Sequence, residues 1–246
     1  MIERITEESP RLKARIAGGL WLMVIVAGMT AFLIRSPMMV RGDAAATASN
    51  IMASESLFRF GFAADLMAGV FYIGVTVFLY GLLKPVSRTI SLLAAFFGLA
   101  GVAIGSATSL TNLAILVLLG DGQYSSAFTT SQLQAMALMS LRLYLQGFNI
   151  SMVFFGFQCF LIGYLIVRST FLPRILGVLL AIGGASYVIS SFATFLSPAF
   201  GARLAPFILP AALLGEGSLT LWLLVIGVNV QRWQEQASAA GASIRT

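Results

Sequence analysis

Residues 89–119 read TISLLAAFFGLAGVAIGSATSLTNLAILVLL, and this stretch contains no charged side chain. An α-helix needs about 20 predominantly apolar residues to cross the hydrocarbon core of a bilayer, so the stretch is long enough to do so. Five further apolar runs have comparable length, at about 16–34, 60–83, 140–167, 175–197 and 207–230. The pattern predicts an all-α fold, a polytopic integral membrane protein built as a six-helix transmembrane bundle without a soluble domain.

The composition of the whole chain favours the same class of protein. Of its 246 residues, 59% are hydrophobic and only 10% are charged, and the mean hydropathy is +0.93. Soluble domains carry roughly 25% charged residues, so this chain lacks the charge that a surface in water requires. The bases behind the net charge of +6 stand singly at the ends of the apolar runs. This distribution is typical of membrane-flanking anchors, so the lipid bilayer is the predicted partner and nucleic acid is not.

Reactive side chains are scarce, and this limits the chemistry that the chain could perform. It has no histidine and a single cysteine, Cys159, which lies within an apolar run. Intramolecular disulfides, thiolate metal clusters and histidine-based catalysis are therefore excluded. The sequence also contains no phosphate-binding loop, dinucleotide fingerprint or serine nucleophile motif. We expect no catalytic residue, no metal and no cofactor, and we expect Cys159 to be a small buried hydrophobe.

The basic residues also predict the orientation of the helices, because cytoplasmic segments carry an excess of Lys and Arg. With the amino terminus inside, ten bases are cytoplasmic: Arg4, Arg11, Lys13, Arg15, Lys84, Arg88, Arg168, Arg174, Arg232 and Arg245. Five lie in the outer segments or helix mouths: Arg35, Arg41, Arg59, Arg142 and Arg203. The sequence therefore predicts a multi-pass protein of the cell (inner) membrane with both termini in the cytoplasm.

The boundaries of the predicted membrane domain follow from the same pattern. Ser9 and Pro10 are typical of a helix N-cap followed by proline at the first helical position, so helix 1 is expected to begin in water. Acidic residues precede the first run and no clean cleavage site follows it, which favours a retained helix over a signal peptide. We predict a cytoplasmic segment over 1–15, a transmembrane domain over 16–230 and a cytoplasmic tail over 231–246.

Several blocks of the sequence carry a resemblance to a known family. The blocks RIAGGLWLMVIVAG, GDAAATASNI, FLPRILGVLL and APFILPAALLGEGSLTLWLLVIGV are distinctive and are spread over nearly the whole chain. They resemble the bacterial membrane family labelled domain of unknown function 4386. The resemblance implies a multi-pass membrane protein and brings no activity with it. Family members often carry histidine in the fourth helix, where Gln158 stands here, so no role of that histidine carries over to this chain.

The small-residue stretch between the first two runs, 43–57, has two interpretations. Asp43 suits the N-terminus of a short helix that begins with Ala44–Ala46, and Ile51, Met52, Leu57 and Phe58 give such a helix an apolar side to bury. In this interpretation Ile51 and Met52 are shielded, and the helix forms a lid over the outer mouth of the bundle. The alternative is an ordered outer loop without a gating role.

Charged and polar residues inside the apolar runs are the candidate functional residues. A charge near the bilayer centre costs roughly 2.5–3.5 kcal/mol on insertion scales, so each one needs a partner or a water-filled cavity. Asp65, Arg142 and Glu216 lie inside runs 2, 4 and 6, and the helical rise places all three in the outer half of the membrane. Arg142, Gln146 and Asn149 share one face of helix 4 by their spacing. The candidate ligand-binding residues are Asp65, Arg142, Gln146, Glu216, Asn112 and Asn149.

The predicted cluster of Asp65, Arg142 and Glu216 leaves three interpretations open. It could be a ligand or ion pocket that faces outward, or a salt-bridged clasp that only holds helices together. Arg142 could instead extend to the headgroups without joining a cluster. Gln158 lies on the opposite face of helix 4, and we expect it to make a helix–helix hydrogen bond.

These interpretations correspond to three function classes. A pocket with two acids and one base favours a small cationic or amine-bearing ligand, and hence a binding protein or transporter. A clasp favours a structural, sensory or accessory membrane subunit. An intramembrane enzyme is disfavoured by the absence of histidine and of close acid pairs on one helix.

The orientation is testable by labelling introduced cysteines in intact cells with a membrane-impermeant thiol reagent. We expect cysteines at Ser9, Ser87 and Thr170 to be shielded and a cysteine at Ser49 to react, because only the last position lies in a predicted outer segment. Labelling at Ser87 without labelling at Ser49 would show the opposite orientation.

Overall fold

The computed structural model describes residues 9–120 and 127–243 of this chain, with backbone alone for 241–243. The ends of the two predicted cytoplasmic segments (1–8 and 244–246) and part of the predicted outer link (121–126) lie outside the described residues. Within the described part the fold is all-α, with no strand, as predicted. The helices are α1 (Pro10–Arg35), α2 (Ala44–Ala53), α3 (Glu55–Leu83), α4 (Arg88–Thr108), α5 (Leu110–Leu119), α6 (Thr130–Arg168), α7 (Arg174–Leu196), α8 (Pro198–Ala212), α9 (Ser218–Val225) and α10 (Val230–Ser243).

Six helical segments of the described chain are long and apolar enough to cross a membrane. The chain is therefore a multi-pass membrane protein. The segments are Pro10–Met38, Glu55–Leu83, Arg88–Leu119, Thr130–Arg168, Arg174–Leu196 and Pro198–Val225. The first begins as the Ser9–Pro10 pair predicts, since the Ser9 hydroxyl accepts a 3.3 Å hydrogen bond from the Leu12 amide.

Two of these segments contain irregular turns. The third divides into α4 and α5 at Ser109, whose hydroxyl donates a 3.1 Å hydrogen bond to the Gly105 carbonyl. In the sixth, α8 contains Pro206 and Pro210, and a π-helical turn at Leu213–Gly217 separates it from α9. Proline has no backbone N–H and interrupts the hydrogen bonds of a regular helix. The two prolines therefore account for the change from α-helical to π-helical geometry after Pro210.

The chain forms two compact units. Unit 1 consists of the described residues within Met1–Leu22, Phe71–Gly101 and Ser151–Thr246, and unit 2 consists of those within Met23–Val70 and Val102–Ile150. Helices α7 to α10 belong wholly to unit 1, and α2 and α5 belong wholly to unit 2.

In unit 1, glycines bring α6 and α7 into close backbone contact. A Cβ atom on Gly163 would stand 2.6 Å from the Gly177 carbonyl oxygen, and one on Gly184 would stand 2.7 Å from the Gly156 carbonyl oxygen. Any larger residue at these positions would force the helices apart. Small residues favour helix association in lipid because they permit such close packing. The four glycines fix α7 against α6 and so set the positions of the side chains near them.

In unit 2, α2 shows that the segment after Asp43 is a helix and not a loop. The Asp43 carboxylate accepts a 2.8 Å hydrogen bond from the Ala46 amide, as the N-cap prediction requires, and Gly42 provides the preceding turn with a φ of +79°. Ile51 is only 2% exposed and packs in an apolar cluster with Met38, Phe58, Ile115, Leu116, Ala137 and Leu141. The prediction that Met52 is also shielded is wrong, because Met52 is 36% exposed.

The burial of Ile51 gives a prediction with a matched control one residue away. Ile51→Ala should destabilise the purified protein, because truncating a buried aliphatic side chain typically costs about 2–5 kcal/mol. Met52→Ala should change the melting temperature little, because Met52 is exposed. Thermal unfolding in lipid nanodiscs measures both, and equal melting temperatures for the two variants would show that α2 does not pack as described.

Candidate functional site

Glu216 lies at the centre of a polar cluster in unit 1. One carboxylate oxygen, Oε1, accepts a 2.8 Å hydrogen bond from the Tyr187 hydroxyl, and the Cys159 sulfur lies 4.0 Å from the same oxygen. The other oxygen, Oε2, accepts a 3.2 Å hydrogen bond from the Trp21 indole N–H. The contacts come from α1, α6 and α7, so three different helices converge on one carboxylate. We call Glu216, Trp21, Tyr187 and Cys159 the Glu216 cluster.

The backbone around Glu216 explains how an acid reaches this position. Glu216 lies within the π-helical turn that follows the two prolines of α8. Gly215, the preceding residue, packs directly on α7, where an added Cβ would stand 2.7 Å from the Leu179 carbonyl oxygen. The turn is thereby held against α7, close to Tyr187. Single π-turns inside α-helices occur frequently at functional sites.

Aromatic rings extend the Glu216 cluster to a second polar group. The Trp21 ring meets the Tyr72 ring edge to face at 6.3 Å between centroids, and Tyr72 in turn packs on Phe155 at 4.8 Å. The Tyr72 hydroxyl donates a 2.9 Å hydrogen bond to Oε1 of Gln158, which is 1% exposed. This confirms the predicted helix–helix hydrogen bond of Gln158, and it joins α3 to α6.

The second intramembrane acid, Asp65, lies in unit 2 and has a charged partner. Arg35 forms an ion pair with Oδ2 of Asp65, and the Tyr144 hydroxyl donates a 3.0 Å hydrogen bond to the same oxygen. The Arg35 guanidinium also lies 4.6 Å from the centre of the Tyr144 ring. The Arg35 and Asp65 side chains are 10% and 17% exposed, so the pair is largely shielded. We call these residues the Arg35 clasp.

The structure corrects the predicted partners of the acids. Asp65 pairs with Arg35 and not with Arg142, which is exposed. The expected pair of Asp65 and Arg142 within the predicted cluster is therefore wrong, and Glu216, in unit 1, has neutral partners of its own. The reason lies in the phase of α6: its buried face carries Leu141 and Tyr144, whereas Arg142 and Gln146 are exposed and Asn149 is half-buried. The α6 side chain that reaches Asp65 is thus Tyr144, and not the arginine that the spacing predicted.

Asn112 in α5 is the remaining predicted site residue. It is 1% exposed, and neither its amide nitrogen nor its amide oxygen has a hydrogen-bond partner within the part of the chain that the structure describes. Buried side-chain amides are nearly always hydrogen-bonded, so Asn112 is an exception among the described residues. Whether any predicted residue binds a ligand stays a prediction.

Sequence reasoning missed Arg35, Tyr144, Trp21 and Tyr187. Arg35 ends an apolar run and has the pattern of a membrane-flanking anchor, and the aromatic residues have the pattern of lipid-facing or core side chains. A usable signal existed only for Arg35, since an acid inside a neighbouring run requires a base, and Arg35 stands at the carboxy-terminal end of the first apolar run.

Comparisons with known proteins give the family of the chain. The sequence model of the family described as domain of unknown function (DUF4386) matches residues 16–227. The chain belongs to this family. A relative from Archaeoglobus fulgidus, described as an uncharacterized protein, is 27% identical over 153 residues, which cover 62% of this chain and 75% of the relative. No solved structure matches this DUF4386 protein. Both the Glu216 cluster and the Arg35 clasp lie within the matched residues.

The two pairings of Asp65 can be separated by a double-mutant cycle. Asp65→Asn should destabilise the protein, because removing one member of a buried ion pair typically costs about 3–5 kcal/mol. Arg142→Gln should be within about 0.5 kcal/mol of the parent, as for most exposed positions. Combining Asp65→Asn with Arg35→Gln should be non-additive, whereas combining it with Arg142→Gln should be additive. Unfolding free energies in detergent measure both cycles, and coupling to Arg142 alone would contradict the Arg35 clasp.

Proposed function

We propose that this DUF4386 protein binds a small cationic or amine-bearing ligand through Glu216. One observation carries the proposal: both oxygens of this intramembrane carboxylate are held by neutral donors, the Trp21 indole and the Tyr187 hydroxyl. The ion pairs that the structure describes join Arg35 to Asp65 and Arg59 to Glu55, and neither includes Glu216. A cation is therefore the group that the Glu216 cluster lacks.

The contrast with Asp65 supports this assignment. A charged acid inside the bilayer is costly, and proteins offset the cost with a pairing base or a ligand counter-ion. Asp65 has Arg35 as a permanent counter-charge, and a ligand would have to displace it. The partners of Glu216 carry no formal charge, so an incoming ammonium group adds an attraction without first breaking an ion pair.

The side chains around Glu216 suit an organic cation in particular. Ammonium groups are attracted to the faces of Trp and Tyr rings as well as to carboxylates, and sites for quaternary ammonium ions commonly combine several such rings. Trp21 and Tyr187 contact the carboxylate directly, and Tyr72 packs on Trp21. Thr220, four residues after Glu216, has a buried hydroxyl without a hydrogen-bond partner among the described residues. It provides an additional polar group within the same helical segment.

Binding at Glu216 requires a rearrangement. The Trp21 side chain is 0% exposed and occupies one carboxylate oxygen, so a ligand must displace the indole N–H or the Tyr187 hydroxyl. A binding event that repositions α1 or α7 is the step that a transporter or a sensor needs. We propose a binding role of this kind and not a catalytic one.

A structural or accessory role is the second candidate, and the Arg35 clasp favours it. This cluster satisfies its own charges, joins α1, α3 and α6, and needs no ligand. If the Glu216 cluster were also only structural, replacing its carboxylate by an amide would affect stability and no binding event.

Trp21 provides an intrinsic probe for the proposal. We expect choline, a quaternary ammonium, to change the tryptophan fluorescence of the protein in nanodiscs, because displacement of the indole N–H alters the surroundings of Trp21. The uncharged analogue 3,3-dimethyl-1-butanol, which has the same shape, should leave the fluorescence unchanged. Methylammonium, titrated in parallel, tests a smaller amine-bearing cation.

Two variants complete the experiment. Glu216→Gln should weaken the cation response at least about tenfold, the loss expected when a charge-assisted contact of 1.4 kcal/mol or more is removed. Glu55→Gln removes a half-buried acid whose ion pair, among the described residues, is with Arg59, and it should respond like the parent. Equal responses to choline and its neutral analogue, or an unchanged response in a folded Glu216→Gln protein, would refute the proposal in favour of the structural role.

A further inference from the structure

An open groove of about 710 Å³ lies in unit 1 between the turn that joins α6 to α7 and the carboxy-terminal helix α10. Its lining includes Arg168 and Arg174 from the two ends of the turn and Arg232 from α10. The described partners of Glu216 are Trp21, Tyr187 and Cys159, and none of the three arginines is among them. The groove is therefore a feature separate from the proposed cation site. We call it the arginine groove.

Side-chain hydrogen bonds fix the two walls of the arginine groove to each other. The backbone N–H and the hydroxyl of Thr170 both donate to Oε1 of Gln236, each at 3.1 Å. In return, Arg232 donates to the Thr170 carbonyl at 3.4 Å. A backbone hydrogen bond adds to these contacts: the Asn229 backbone N–H, just before α10 begins, donates to the Phe171 carbonyl at 3.3 Å. The groove is thus a built feature with defined walls.

The carboxy-terminal helix is also fixed to the membrane helices of unit 1. The Trp233 indole N–H donates a 2.8 Å hydrogen bond to the Leu82 carbonyl near the end of α3. Tryptophan is enriched at membrane–water interfaces, where one edge of its ring is apolar and the other finds a polar partner. The contact holds Arg232, one residue earlier, beside the α6–α7 turn.

The residues that line the arginine groove carry more positive than negative charge. Its acidic lining residue is Glu235, against three arginines, and Glu235 already accepts a 3.1 Å hydrogen bond from Gln231 on its own helix. All three arginines are exposed, and the two ion pairs that the structure describes involve other residues. Arginine binds phosphate groups with paired, charge-assisted hydrogen bonds. The groove therefore matches a ligand that carries phosphate.

The place of the groove along the chain indicates where that phosphate comes from. Arg168 is the last residue of one membrane-crossing segment, and Arg174 is the first residue of the next. Such a turn lies at the level of the lipid headgroups. Basic pockets between membrane helices bind anionic headgroups on the cytoplasmic side, which is the side that the sequence predicts for this turn. We propose that the arginine groove binds the phosphate of an anionic lipid headgroup.

The experiment compares lipids and variants of the full-length protein. Native mass spectrometry after release from nanodiscs should show phosphatidylglycerol retained over phosphatidylcholine when the two are supplied in equal amounts. The double variant R168Q/R174Q leaves the contact between Arg232 and Thr170 in place. It should lower the retention of phosphatidylglycerol by about fivefold for each arginine removed, the factor expected for one basic residue near an anionic surface.

Controls separate the lipid from other sources of phosphate and charge. Arg203→Gln removes one exposed arginine of unit 1 outside the groove and should retain phosphatidylglycerol like the parent. Inorganic phosphate at millimolar concentration should compete only weakly. If Arg203→Gln lost as much phosphatidylglycerol as R168Q or as R174Q, the arginine groove would not be the binding site. Full displacement of the lipid by inorganic phosphate would overturn the lipid as its ligand.

Discussion

A carboxylate inside an apolar helix has no water to solvate it, so the protein must supply every group that stabilises it. This chain meets the constraint twice and in different ways. Asp65 receives a guanidinium, and Glu216 receives an indole N–H and a phenol hydroxyl. The charge of Asp65 is balanced by the guanidinium of Arg35. The partners of Glu216 donate hydrogen bonds but carry no balancing charge. That difference is why we propose a structural role for the Arg35 clasp and ligand binding for the Glu216 cluster.

The helices of unit 1 that surround Glu216 lie very close together. Close approach of α6 and α7 depends on Gly163 and Gly177, and the π-turn rests on α7 through Gly215. A side chain at Gly163 or Gly177 would push α6 and α7 apart, and one at Gly215 would push the π-turn that carries Glu216 away from α7. The apolar packing and the polar site are therefore parts of one arrangement. A substitution at Glu216 can therefore also disturb the helix packing. For this reason a Glu216 variant that is used to test binding must be shown to fold.

The sequence predicted the fold well because run length and polarity alone determine membrane helices. The N-caps at Ser9 and Asp43, the burial of Ile51 and the interhelical bond of Gln158 also followed from local patterns. The partners of the charges did not follow. In lipid a helix can be apolar on every side, so hydrophobic periodicity does not identify the face that points into the protein. Arg142 and Tyr144 are two residues apart, and the sequence offered no physical ground for choosing the tyrosine.

The arginines show why a residue type does not by itself decide a role in this protein. Arg35, Arg142 and Arg168 each lie at or near the end of an apolar run, yet Arg35 is buried against an acid while the other two are exposed. What separates Arg35 from the other two is its acidic partner, which lies far away in sequence, since Asp65 is 30 residues after Arg35. An arginine that pairs with an acid on another helix holds the two helices together. An exposed arginine without such a pair is available to a ligand. The same reasoning applies to the acids inside the membrane helices: Asp65 pairs with Arg35, whereas neither of the ion pairs that the structure describes includes Glu216. Local sequence supplies the charges, and the packing of distant helices decides which of them remain available for binding.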